Sequence, residues 1–158
     1  VAVNNLQPTY GLSYPVGYPG MVANGETYNR ISRSIEDSAG IGFGKAAFRG
    51  VGDHGITATP TAGTFLGITM ADLALQPLAG VVAGGAAADT FPQYASVGLI
   101  NEGEIWVLTG EAVNDGDPAY VTAAGALMKT ATSNTAIPAV FDTTTSGAGL
   151  ARLRVRRS

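Results

Sequence analysis

Short apolar runs, each closed off by turn residues, constrain this chain more than any other feature of it. "TFLGITM" (64–70), "EIWVLTG" (104–110), "AYVT" (119–122), "ALMK" (126–129) and "IPAVF" (137–141) are rich in β-branched and aromatic residues, with Gly, Asn, Asp or Pro between them. "TAAG", ending on Gly125, reads as a hairpin turn, and Pro118 sits at the start of a strand, where its missing N–H costs little. "TYNRISRSI" is the ambiguous segment. Tyr28, Ile31 and Ile35 recur at helical spacing, but the Ser and β-branched residues around them suit a strand equally. "AGVVAGGAAAD" (79–89) reads as a mobile Gly/Ala-rich loop. The fold expected is all-β: one domain, a β-sandwich or barrel of jelly-roll-like form, spanning residues 26–158 behind an extended N-terminal arm, 1–25. At 158 residues such a domain buries about 70% of its unfolded surface.

Charge narrows the partners. Charged residues make up 13% of the chain, against roughly 25% in an ordinary soluble protein. So neutral a surface suits a protein docked against others, and equally a plain compact β-domain. The net charge of −3 argues against nucleic acid, which needs a basic face. The first 25 residues carry no charge, yet Pro, Asn and Gly interrupt them too often for a membrane span. No signal peptide is expected, and synthesis in a cytoplasm is.

The chemical motifs are weak. "AGIGFGKAAFRG" (39–50) approaches a phosphate-binding loop, but Lys45 is followed by Ala46 where that loop needs Ser or Thr. Gly50, Gly52 and Gly55 would also break the helix a dinucleotide fingerprint requires. These glycines read as backbone shape, allowing bulges and close approach. His54 is the only histidine and there is no cysteine, so no His cluster or thiolate set can hold a metal. His54 itself lies in a Gly-flanked loop and no nucleophile elbow is present. "NDGD" (114–117) reads as an Asx-type turn, since the rest of a calcium loop is missing. No catalytic residue, cofactor or metal is expected.

The ordered set "YPGMVANG", "ISRSIEDSAGIGFGKAAFRG", "FLGITMAD", "GEIWVLTGEAVNDGDPAYVTAAGAL" and "NTAIPAVFDTTTSGAGLARLRV" resembles the structural cement (head decoration) proteins of tailed bacteriophages. The resemblance covers nearly the whole chain. It departs in the Ala/Gly run and in the Arg-rich C-terminus. It implies a non-enzymatic virion protein on the outer surface of the capsid that clamps neighbouring major capsid subunits and associates with itself as a dimer or trimer. A small β-barrel enzyme or carbohydrate-binding module, with Trp106 and the tyrosines as a sugar platform, is the competing class. Another virion part, a tail or fibre protein, is the third.

Two interface segments are expected on that reading. Tyr10, Tyr14 and Tyr18 recur every four residues among prolines and glycines that forbid helix, so an extended arm puts three rings on one face. Such an arm either docks on a neighbouring subunit or folds against its own body. In "LARLRVRRS", Ala151, Leu153 and Val155 alternate with Arg152, Arg154 and Arg156, which sends the arginines outward in one row. That row either guards a sheet edge or meets capsid carboxylates.

Overall fold

The structure is a computed structural model, described over residues 16–72 and 89–156. The Ala/Gly-rich run at 79–88, Tyr10 and Tyr14 lie outside the described residues. Those residues form strands and no helix: β1 (Val22–Ile35), β2 (Ile41–Gly42), β3 (Ala46–Arg49), β4 (Gly55–Thr57), β5 (Phe65–Thr69), β6 (Thr90–Phe91), β7 (Ser96–Thr109), β8 (Pro118–Val121), β9 (Leu127–Met128), β10 (Thr135–Phe141) and β11 (Gly149–Val155). The all-β expectation is borne out. "TYNRISRSI" is strand: Ile31 lies opposite Leu99 and Ser34 opposite Ser96 in an antiparallel ladder.

Hydrogen-bonded neighbours run β1-β4-β3-β5-β7-β11-β10-β8-β9, and β7 pairs additionally with β1 and β9. Pairing therefore closes twice. One ring is β1-β4-β3-β5-β7 and the other β7-β11-β10-β8-β9, with β7 common to both. The first half of β7 meets β5 (Ile68 with Ile100), and its second half meets β11 (Leu153 with Ile105). β1 follows β7 across both halves, with a register shift between Asn24 and Asn29. Closure leaves few unpaired strand edges, which discourages unwanted pairing.

Among the described residues, two clusters make up the core. Ile35, Ile56, Val97 and Leu99 pack with Ile41, Phe43 and Phe91 from the β2–β6 region, where the two phenyl rings lie 4.9 Å apart. A larger cluster joins Phe141, Leu153, Val107 and Leu127 of one ring to Phe48, Ile68 and Ile100 of the other. The stretch 39–50 supplies β2, a turn and β3. Gly40 (φ +76°) and Gly44 (φ +65°) take left-handed conformations there, so glycine serves the backbone.

Beyond β7, Glu111 ties down the end of β9. Its Oε1 accepts from the Lys129 and Thr130 amides at 2.7 and 2.8 Å, and its Oε2 from the Thr130 hydroxyl at 2.9 Å. Desolvation pushes the Glu111 pKa up, but the Thr130 and Lys129 hydrogen bonds and the Lys129 charge together outweigh it, and the net shift is downward. A carboxylate with a depressed folded pKa stabilises above its unfolded value and loses that contribution as pH falls through the folded one. Wild type should therefore exceed Glu111→Gln in melting temperature fully above about pH 4.3. The gap should close below that. A gap constant from pH 7 to pH 2 would rule out the charged form as the source.

Candidate functional site

β11 has the alternation its sequence predicts. Ala151, Leu153 and Val155 are buried, and Arg152, Arg154 and Arg156 stand on the opposite face. β11 is not an edge strand, however: it pairs with β7 on one side and β10 on the other. The edge-guard reading of the arginine row is therefore overturned.

The first two arginines of the row already have partners. Register sets Arg154 opposite Glu104 and Arg152 opposite Trp106, and Asp142 follows at the end of β10. Arg154 Nη2 lies 2.6 Å from Asp142 Oδ1 and 3.0 Å from Glu104 Oε1. Arg152 Nη2 lies 3.0 Å from Asp142 Oδ2, and its Nη1 lies 4.0 Å from Glu104 Oε2. The hydrogen bond to Glu104 and the Asp142 charge raise the Arg154 pKa. The carboxylate side chains are only 13% and 15% exposed, so the four groups form a nearly neutral, half-sunk square. Arg152 Nε is buried without a hydrogen-bond partner among the described residues. Arg156 differs. It is exposed, forms no ion pair among the described residues, and borders an open cleft of about 480 Å³ with Glu102, Thr27 and Asn24.

Of the three tyrosines, Tyr18 is described, and it is 40% exposed. The chain beside it lies on its own body. Gly17 faces the Trp106 ring so closely that a Cβ there would fall 2.7 Å from Cδ1. The Gly20 amide donates to the Trp106 carbonyl, and the Trp106 amide to the Met21 carbonyl, each at 2.8 Å. Residues 22–25 of the segment expected as an arm belong to β1. Trp106 is half-buried, with Gly17 lying against its ring. Tyr18 and Leu108 border a shallow hollow with Phe43 and Lys45.

One constellation escaped the sequence reading. The loop from Gly50 to Gly55 wraps the Glu36 carboxylate: Val51 N donates to Oε2 at 2.8 Å and Gly52 N to Oε1 at 2.7 Å. A Cβ at Gly50 or Gly55 would collide with that carboxylate. "GVGDHG" has the spacing G-x-G-x-x-G, and its successive amides hold an anion, as such nests do. The anion is the protein's own. That spacing, read together with an upstream carboxylate, was the available signal. His54 lies in this loop, exposed and at φ +62°, as a surface-loop histidine.

Among the described residues no group of three His, Asp or Glu side chains is placed to hold a metal ion, and no helix is long and apolar enough to cross a membrane. The family described as structural cement protein (E217 gp24/Pam3 gp6) matches residues 6–156. No curated protein sequence matches the chain. Among solved structures it resembles a chain in the capsid of Myoviridae phage XM1, at 18% identity and a TM-score of 0.67. That match covers 96% of this chain and 98% of the other.

Proposed function

We propose a capsid-clamping role from the premise that this chain belongs to the structural cement protein family of phages. Its place is the virion, on the capsid, and its role is decoration of the head. The observation that carries this reading is the family match across 6–156, joined to an all-β body in which β-strand pairing closes on itself. The finer reading is a non-enzymatic protein that sits on the outer surface and bridges major capsid subunits, self-associating as a dimer or trimer. Neither nucleic acid nor membrane is a partner in this reading.

Tyr10, Tyr14, Tyr18 and the arginine row remain the proposed contacts, with their roles now unequal. Arg152 and Arg154 are spent on Glu104 and Asp142, so Arg156 carries the charge available to a capsid carboxylate. Arg156→Gln should weaken binding to bare shells without changing the melting temperature. Arg152→Gln with Arg154→Gln should instead lower the melting temperature, because two half-buried carboxylates lose their counter-charges. Equal effects of both changes on melting would refute this division of labour.

The role itself is tested by sedimenting the protein with bare shells of the major capsid protein. Saturation at a fixed number of copies per capsid subunit is expected. Failure to co-sediment at any concentration or salt would remove the clamping role.

A further inference from the structure

The loop 50–55 combines two properties that seldom occur together. Val51 is fully solvent-exposed, at 102% of its reference area, and glycines on both sides leave it unscreened. Yet the loop beneath it is tied down. Besides the two amides on Glu36, Gly50 N donates to Gly55 O (2.9 Å), Gly55 N to Gly52 O (3.1 Å) and Ser34 N to His54 O (3.0 Å). An isolated exposed apolar residue needs no explanation by itself. Here, a carboxylate and three glycines are committed to fixing the backbone that displays it, and the side chain contributes nothing to the fold. A rigid display loses little entropy on docking, which is what favours preformed contacts.

The surroundings specify the partner's chemistry. Arg33 and Arg49 line the hollow beside the tip together with Asp53, and neither arginine forms an ion pair among the described residues. Two arginines without ion-pair partners among the described residues thus flank an apolar knob, with Asp53 beside them and the Glu36 carboxylate held by backbone amides inside the loop.

We propose that loop 50–55 is a preformed docking tip that seats Val51 in an apolar hollow of the major capsid protein, whose rim carboxylates meet Arg33 and Arg49. This rests on the capsid-clamping role proposed above.

The test compares wild type, Val51→Asp and Arg33→Glu with Arg49→Glu in binding to bare shells across a salt series. Val51→Asp should keep the wild-type melting temperature, since the side chain is fully exposed and the Val51 amide bond to Glu36 is backbone, and lose about tenfold or more in affinity per site. The double charge reversal should weaken binding most at low salt. Undiminished shell binding by Val51→Asp overturns the proposal. So does a change confined to the protein's self-association, which would make the tip a contact between copies of this chain. Wild type that fails to bind shells defeats the clamping role itself, a result distinct from wild type binding and Val51→Asp binding as well.

Discussion

Phe141→Ala is expected to lower unfolding free energy by about 3–5 kcal/mol, a large share of the roughly 5–15 kcal/mol that holds a domain together. Phe141 is completely buried, opposite Leu153 in the β10–β11 ladder. Its own amide donates to the Asp117 carbonyl and its carbonyl accepts from Gly116, so backbone on both sides resists collapse into the void. A cavity that cannot close costs more than the lost transfer energy. The larger core cluster runs from Phe141 to Phe48 in the other ring, and β7 is common to both rings. The loss should therefore be global. The sole tryptophan, Trp106, lies on β7 and reports from that shared strand. Its fluorescence and the far-UV circular dichroism should show one coincident transition in wild type and variant alike. Two separated transitions would mean that the rings unfold independently.

Gly40→Ala should be nearly as damaging, from backbone alone. At φ +76° a side chain costs about 1–3 kcal/mol, and a Cβ there would also strike the Phe91 carbonyl oxygen. Relief requires moving β6 away from β2, where Ile41 lies opposite Phe91, and uncovering the core around Phe43. Gly42→Ala is the control. Its Cβ would find nothing nearer than 3.6 Å, an ordinary contact, and its effect should stay within about 0.5 kcal/mol. Matching melting temperatures for the two variants would show that position 40 tolerates a side chain.

Period-two alternation made β11 legible, because from Ala151 to Arg156 each inward residue is aliphatic and each outward one charged. β1 hid for the opposite reason. Asn29 and Arg33 occupy the same face as Ile31 and Ile35, so the apolar signal drops to every fourth residue and mimics a helix. The arginine row was visible but its partners were not. Glu104 and Asp142 lie 50 and 12 residues from Arg154, and only the β7–β11–β10 register brings them together. The same holds for the Glu36 loop. Local glycine spacing advertises room for an anion, but nothing local says that a carboxylate 14 to 19 residues upstream fills it. Family resemblance supplied the capsid, which no residue pattern in the chain encodes.

The strand shared by the two rings has a mechanical consequence. A pull that separates the rings has to pass along β7 and its antiparallel neighbour β1, which spans the same joint. Hydrogen bonds between those strands lie across such a load and share it in shear, so they must yield together. Loaded from one end, the same ladder would unzip a bond at a time. A cement protein gripping one capsid subunit through each ring would thus put its strongest axis along the line on which neighbouring subunits are drawn apart.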